Sequence, residues 1–240
     1  MLLYVIRHGD PIYDPDTLTP KGRLQAAAVA KRLAVHGLDE IYSSPLGRAR
    51  ETAQPSCELM GLPMQIEEWT SESLAWRDLG ITTPEGRHGW AFHVIPHARY
   101  LAEYAAEQAK PCDRKGWEEL DSLKPYNLKP GVDRIAADSD AFLARMGYVR
   151  EGAVYRAEKP NSRRIAVFCH QGFGTIWLSH LLSIPAPVFW AAFDLTHSSV
   201  TILHFPDAEG YVAPQCLCLS DVSHIYREGL PLQYNNRIDI

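Results

Sequence analysis

The sequence lacks the features that mark several large classes of protein. It has no long run of Lys and Arg, and its net charge of −5 and pI near 6.0 provide no positive surface for nucleic acid or an anionic membrane. No window approaches the ~18 apolar residues of a membrane span, and the apolar run before Arg7 is too short for a secretory signal peptide. We therefore expect a cytoplasmic protein that binds neither nucleic acid nor membrane. No pattern predicts its oligomeric state.

Cysteine is also scarce, and its placement excludes the usual cysteine-based sites. The five cysteines are odd in number and form no C-x-x-C pair, so neither a disulfide framework nor a zinc site is indicated. His93 and His97 are four residues apart, but Pro96 interrupts any helix between them. A late glycine pair has Trp177 where a dinucleotide-binding loop needs its third glycine. We expect no metal and no cofactor.

What the sequence does contain is an alternation of strand and helix patterns at both ends of the chain. The predicted strands are 2–6, 40–43, 64–67 and 164–169, and the predicted helices are 20–35, 45–60 and 173–182. The segments 198–205 and 211–219 are expected to form an antiparallel pair. In the middle of the chain the alternation is lost, and only 96–110 and 135–149 have a helical pattern.

This order predicts one α/β domain over residues 1–240. Its mostly parallel sheet would come from residues 1–68 and 163–219, with helices covering it. The insertion at about 73–161 is expected to form a helical or irregular cap, and 220–240 a C-terminal tail.

Three predicted strand-to-helix junctions carry a basic or imidazole group. Arg7 and His8 follow the first strand, Arg48 lies in the first turn of the second helix, and His170 follows the strand 164–169. In a parallel sheet such junctions lie at one edge, so the four side chains can converge. A helix start and guanidinium groups favour a phosphate, and a neutral imidazole beside them could act as its nucleophile.

These segments, in this order, resemble the histidine phosphatase superfamily, or phosphoglycerate mutase-like proteins. The matching motifs are Arg7-His8-Gly9, Leu18-Thr19-Pro20-Lys21-Gly22 with Gln25-Ala26, Ser43-Ser44-Pro45-Leu46-x-Arg48-Ala49 with Thr52-Ala53, and His170 after a strand. They cover residues 2–68 and 163–205 well and the middle poorly. The resemblance implies a three-layer α/β/α sandwich with a mostly parallel central sheet and a cap insertion.

The resemblance also implies roles for these residues. His8 would be the phosphorylated nucleophile, and Arg7, Arg48 and His170 would bind the phosphoryl group without a metal. Gly9 and Gln171, which adjoin the two histidines, are assigned to the same phosphate site. For this chemistry we expect a neutral His8, with one ring N–H held by a backbone acceptor, and a charged His170.

The general acid is the point at which the sequence departs from the family pattern. The family takes a carboxylate after the third strand, followed by glycines, and here those glycines are absent. Glu72 is the first candidate because it follows that strand beside Trp69 and Trp76, where partial desolvation would raise the pKa of its carboxyl group. Glu68 is the alternative.

The resemblance implies a metal-independent phosphatase that hydrolyses a phosphomonoester through a phosphohistidine. Its partner would be a small phosphorylated metabolite or a phosphoprotein. A mutase of the phosphoglycerate type is the nearest alternative, although segment 10–21 is short and lacks the mutases' Asn- and Trp-containing stretch. A non-catalytic module that binds a phosphorylated ligand is another. Arg77, Arg87 and Arg99 in the cap are candidates to meet a second anionic group of the substrate.

Overall fold

The computed structural model describes residues 1–232. Its strands are β1 Leu2–Arg7, β2 Pro11–Ile12, β3 Thr17–Leu18, β4 Glu40–Ser43, β5 Met64–Ile66, β6 Gly80–Thr82, β7 His88–Trp90, β8 Tyr148–Glu151, β9 Val154–Ala157, β10 Arg164–Cys169, β11 Val200–His204, β12 Gly210–Val212 and β13 Gln215–Asp221. Its α-helices are α1 Pro20–Ala34, α2 Gly47–Met60, α3 Glu72–Leu79, α4 Ala91–Val94, α5 His97–Gln108, α6 Lys129–Met146, α7 Gln171–Leu181, α8 Ala186–Ala192 and α9 Ser223–Arg227.

The core of the fold is a six-stranded sheet in the order β13-β11-β1-β10-β4-β5. The strands β1, β10, β4 and β5 are parallel to one another. Strand β11 runs antiparallel to β1, and β13 pairs with β11 in antiparallel fashion. Arg7 lies in register with Cys169, and Phe168 with Ser43. The residues that follow β1, β10 and β4 therefore meet at one edge of the sheet, as the sequence predicts.

The two faces of this sheet are covered by different helices. Alternate side chains of a strand point to opposite faces. Tyr4 and Ile6 of β1 accordingly join the cluster formed with α1 and α2, while Leu3 and Val5 join the larger cluster formed with α3 to α8. The result is three layers, which confirms the predicted α/β/α fold class.

Helices α1 and α2 begin differently, for a reason that lies in their caps. Thr19 caps α1 as its pattern predicts, since its hydroxyl accepts the amide of Gly22 at 3.0 Å. The second helix starts at Gly47, two residues after the predicted Pro45. Its first amide donates to the Asp16 carboxylate at 2.6 Å, so a side chain from a distant loop sets this boundary.

The middle of the chain has more regular structure than its pattern indicates. Helix α3 and the hairpins β6–β7 and β8–β9 were not predicted, and α6 starts at Lys129 rather than near residue 135. The division of the chain into a sheet and a cap at 73–161 stays a prediction.

The predicted antiparallel pair of 198–205 and 211–219 is only partly correct. Strand β11 does pair with the segment from Gln215, but β12 leaves the central sheet and pairs with β9. The predicted tail also contains structure, because β13 continues to Asp221 and α9 follows it. Residues 233–240 of that tail lie outside the described residues. No helix among residues 1–232 combines the length and apolar character needed to cross a membrane.

Candidate active site

His8 lies at the carboxyl end of β1 and is held by backbone groups on both sides. Its amide donates to the Cys169 carbonyl at 2.9 Å, and its Nδ1 lies 2.7 Å from the Gly9 carbonyl. A carbonyl only accepts, so Nδ1 carries the proton and Nε2 keeps its lone pair. Burial, His170 and Arg7 lower the pKa of His8 well below its usual value. The predicted neutral ring held by a backbone carbonyl is confirmed.

Gly9 has a structural role in this arrangement, and its amide is already hydrogen-bonded within the protein. Its N–H donates to the Thr52 hydroxyl at 2.9 Å, and a Cβ at this position would lie 2.7 Å from the Gly22 carbonyl oxygen. The close backbone approach thus requires glycine. Since its one donor is already used, the prediction that Gly9 binds phosphate is not met in this geometry.

Arg48 reaches His8 from the first turn of α2. Its Nε donates to His8 Nε2 at 3.3 Å, and its Nη1 lies 2.7 Å from Oδ1 of Asp16. The Tyr13 ring lies over the same guanidinium, 5.2 Å from its carbon. Asp16 therefore both caps the helix and orients its arginine, a role that sequence reasoning missed.

Arg7 is fixed from the opposite side by the loop before β11. Its Nη1 donates to the Leu195 carbonyl at 2.5 Å, and its Nη2 to Nε2 of His197 at 2.7 Å. Nδ1 of His197 in turn lies 3.7 Å from the Asp10 carboxylate. Burial and Arg7 lower the pKa of His197 to about 3, so the ring is neutral and accepts from the guanidinium.

His197 was not predicted, because its place in the site depends on the direction of the strand that follows it, which the sequence does not reveal. Strand β11 runs antiparallel to β1, with Ile6 opposite Val200. The residues before an antiparallel neighbour lie at the same sheet edge as those after β1. The predicted site residues follow strands or begin helices, whereas His197 precedes a strand.

His170 lies directly behind His8 and is fully buried. The two ring centroids are 5.2 Å apart, and Nε2 of His170 lies 2.7 Å from the Ser44 hydroxyl. Its Nδ1 is buried and has no hydrogen-bond partner among the described residues. Burial, Arg48 and Arg7 lower its pKa well below the usual value. The expected charged His170 is thus wrong, because burial and two guanidiniums favour the neutral ring.

Glu72 begins α3 and is anchored to the start of α7. Its two carboxylate oxygens accept the amides of Gly172 and Phe173 at 2.9 and 2.8 Å. Burial raises the pKa of this carboxyl group, while the two amides oppose the shift. The expected direction of the shift is confirmed. Glu68 is exposed in the preceding 3₁₀ turn and does not line the cavity that His8 and Glu72 share.

That cavity has a volume of about 460 Å³ and opens beside the sheet edge. Its lining consists of Arg7, His8, Tyr13, Arg48, Glu72, Ser73, Trp76, Trp90 and Gln171. The structure thus brings together Arg7, His8, Arg48, Glu72 and Gln171 of the predicted residues, with His170 behind them. Gln171 is oriented by Asp194, whose carboxylate accepts its amide at 3.4 Å.

The three cap arginines lie elsewhere. Arg77 pairs with Asp78, Arg87 with Glu85 and Arg99 with Glu103. None of the three lines the cavity. The hypothesis that they meet a second anionic group is therefore not supported, since each has an acidic neighbour away from His8.

Known proteins share parts of this framework. The sequence model of the histidine phosphatase superfamily (branch 1) matches residues 3–92. A 2,3-bisphosphoglycerate-dependent phosphoglycerate mutase of Bartonella tribocorum is 30% identical over 164 residues, which cover 60% of this chain and 79% of the mutase. A candidate phosphoserine phosphatase of Hydrogenobacter thermophilus is 30% identical over 98 residues, 37% of this chain and 45% of that protein. The chain thus spans less than half the length of this second relative.

A solved structure extends the likeness over nearly the whole chain. Phosphoserine phosphatase from Entamoeba histolytica, crystallised with 3-phosphoglyceric acid, has a TM-score of 0.60. The match covers 93% of this chain and 98% of that one at 19% sequence identity. At this identity the likeness establishes the shared fold.

Proposed function

The chain belongs to the histidine phosphatase superfamily, and from this premise we propose that it hydrolyses phosphomonoesters through a phosphohistidine on Nε2 of His8. The observation that supports the proposal most directly is that this nitrogen is unprotonated. Its ring partner Nδ1 is held by the Gly9 carbonyl, and Arg48 Nε approaches Nε2 to 3.3 Å. A neutral nucleophile thus lies beside the guanidinium that would hold its target.

In the first step Nε2 attacks phosphorus while the bond to the ester oxygen breaks. Arg7 and Arg48 neutralise charge on the equatorial oxygens. His170 contributes as a neutral donor, since Ser44 can donate to its Nε2 and leave the Nδ1–H for a phosphoryl oxygen. Glu72 gives its proton to the leaving oxygen and becomes a carboxylate.

In the second step a water molecule replaces the departed alcohol. The Glu72 carboxylate accepts one proton of this water. The oxygen of the water attacks phosphorus, and the bond between phosphorus and Nε2 breaks. Inorganic phosphate leaves, and His8 and Glu72 return to their starting protonation states. The raised pKa of Glu72 suits a group that gives and takes a proton in turn.

The proposal is tested in excess chelator by phosphate release from a panel of phosphorylated metabolites. In a second experiment the substrate carries a label on its phosphoryl group, and the labelled phosphoenzyme is trapped. We expect turnover without added metal and a label that is stable in alkali, lost in acid and absent from His8→Ala. His36→Ala is the control, because His36 is exposed on α1's carboxyl side. Turnover that requires Mg²⁺, or turnover with no label on His8, would contradict the mechanism.

The Bartonella mutase relative favours a second candidate, phosphoryl transfer between hydroxyl groups of one metabolite. Among residues 1–232 only two guanidiniums line the cavity, which argues against this candidate, because a mutase must also hold the second charged group of its substrate. Conversion of 3-phosphoglycerate to 2-phosphoglycerate faster than phosphate release would favour the mutase. Binding of phosphorylated ligands with neither reaction would favour a non-catalytic module.

A further inference from the structure

Part of the cavity lining is aromatic. Three aromatic side chains, Tyr13, Trp76 and Trp90, line it together with Ser73. Tyr13 is 68% exposed and Trp76 is 37% exposed, so both rings present open surface at the mouth. Rings of this kind are usually buried in a core or at an interface, and open aromatic surface around a reactive group indicates a ligand contact.

The two tryptophans form a fixed wall. Their ring centroids are 4.9 Å apart at 87°, and Trp90 packs in turn on buried Trp190 at 5.6 Å. The wall is possible because residue 172 is glycine. A Cβ at Gly172 would lie 2.4 Å from Cζ2 of Trp90. The Trp76 ring likewise packs on Gly80, where a Cβ would come within 3.1 Å of its Cε2. A ligand ring therefore meets a surface that needs no reordering.

The charges in the cavity are sufficient for one phosphoryl group only. Among residues 1–232, Arg7 and Arg48 are the two Lys or Arg side chains in its lining, and Asp16 already pairs with Arg48 at 2.7 Å. A phosphoryl dianion uses both positive charges. Glu72 adds a carboxyl group beside the leaving oxygen. A second anionic group on the substrate would thus lie near acidic and aromatic side chains without a cation to pair with.

We propose that the preferred substrate is the phosphomonoester of an aromatic or other flat apolar alcohol that carries no second anionic group. The inference rests on the proposed function and adds the class of its leaving group. The phosphoryl group would occupy the Arg7, His8 and Arg48 end, and the ring of the alcohol would pack between Trp76 and Tyr13. Phosphoserine and phosphoglycerate, which carry a carboxylate, would be poor substrates.

The test compares kcat/KM for 2-phenylethyl phosphate, propyl phosphate and 3-phosphoglycerate, whose leaving groups are all alkyl alcohols. We expect the phenylethyl ester to exceed the propyl ester by about tenfold, because a ring contact adds this much at a half-exposed site. It should exceed 3-phosphoglycerate by about a hundredfold, since the carboxylate finds no cation. Trp76→Ala and Tyr13→Ala should each remove most of the preference for the ring.

The variants distinguish a ligand contact from a packing role. Propyl phosphate turnover should stay within about threefold of wild type in Trp76→Ala, whereas a damaged fold lowers all three rates. Trp76→Phe should keep most of the preference, and Tyr226→Ala is the control, because Tyr226 is 87% exposed on α9. A preference for 3-phosphoglycerate, or an unchanged preference in both alanine variants, would overturn the inference and leave the phosphatase proposal intact. No turnover and no labelled His8 with any ester would overturn both.

Discussion

At the scale of single residues, the proposed chemistry requires that a few side chains are held in fixed positions. His8, Arg7 and Arg48 are each less than a tenth exposed, and each has at least one fixed partner in the backbone or on a neighbouring side chain. Groups fixed before the substrate arrives need no reorganisation during the reaction. Their substitution should therefore affect rate far more than stability.

His8→Ala is expected to abolish turnover because it removes the nucleophile. Arg7→Ala and Arg48→Ala should each reduce kcat/KM by on the order of 10²-fold or more, since each removes charge from the transferring group. Steady-state rates measure the loss, and thermal unfolding of each variant checks that the fold is intact. Near-normal activity of His8→Ala in a folded protein would refute the mechanism.

Glu72→Gln should slow substrates in proportion to how basic their leaving group is. An alkyl alcohol leaves as a strongly basic alkoxide unless it is protonated, so its phosphorylation of His8 should slow by roughly 10² to 10⁴. A nitrophenyl phosphate leaves as a stabilised anion and should lose little in this step. Burst kinetics with both esters separate the step from dephosphorylation, which should slow for both. Glu68→Gln is the matched control, and a leaving-group dependence there instead would assign the acid role to Glu68.

His197 is expected to act through Arg7, as a positioning residue. His197→Ala removes one acceptor of Arg7 Nη2 and should lower kcat/KM by about tenfold for good and poor leaving groups alike, because Arg7 loses one of the hydrogen bonds that fix its guanidinium. His197→Gln can still accept with its amide oxygen and should restore most of the rate. The ratio of the two variants' rates, with inhibition by inorganic phosphate, measures the effect. Equal loss in both variants would assign His197 to packing alone.

At the scale of elements, α2 combines a helix start with an arginine that serves the site. Asp16 supplies both the cap of the helix, through Gly47, and the ion pair with Arg48. Two separate functions of one carboxylate can be distinguished by removing its charge or its hydrogen bonds.

Asp16→Asn should keep the cap and lose the charge, whereas Asp16→Ala should lose both. We expect the alanine variant to lose about 1 kcal/mol of unfolding free energy, the usual value of a cap, and the asparagine variant only a few tenths. Both should bind inorganic phosphate more tightly than wild type, because Arg48 is no longer neutralised. Urea unfolding and phosphate inhibition measure the two effects. Equal destabilisation in both variants would mean that the charge, and not the cap, stabilises α2.

Elements whose ends are set by local chemistry are the ones that the sequence predicts well. Strands β4 and β10 lie at their predicted residues, and α1 follows its Thr19-Pro20 start. Helix α2 starts late because its cap lies 31 residues away along the chain. Strand β12 is misassigned because its partner is β9, in a separate sheet, which no local pattern reveals.

The residues of the site show the same contrast between features set by the local sequence and features set by distant parts of the chain. Arg7, His8, Arg48 and Glu72 were found because each lies where a strand ends or a helix begins, which the sequence marks. The protonation of His170 was wrong because it depends on its burial and on two guanidiniums, which only the folded arrangement supplies. His197 was missed because its strand is antiparallel, a relation that the sequence does not reveal.

At the scale of the whole molecule, the buried histidines link the site to stability. Burial lowers the pKa of His8, His170, His197 and His224, the last to about 4. In an unfolded chain each would titrate near 6.5. Below that pH the unfolded state binds protons that the folded state does not bind. The contribution of the neutral rings to the free energy of unfolding is therefore present above about pH 6.5 and is lost as the pH falls.

The free energy of unfolding should therefore fall steeply between pH 6.5 and 4.5, by up to about 1.4 kcal/mol per pH unit for each buried histidine. Glu72 acts in the opposite direction, because its raised pKa makes the folded state bind a proton more readily than the unfolded state does. Urea unfolding at pH 7.5, 6.5 and 5.5 measures the slope. His224→Gln removes a buried ring that does not line the cavity and should reduce this slope by the equivalent of about one proton, whereas His36→Gln, an exposed control, should not. Stability that stays constant down to pH 5, or an unchanged slope in His224→Gln, would show that these rings become charged in the folded protein, and the neutral His8 on which the proposed nucleophile depends would then be in doubt.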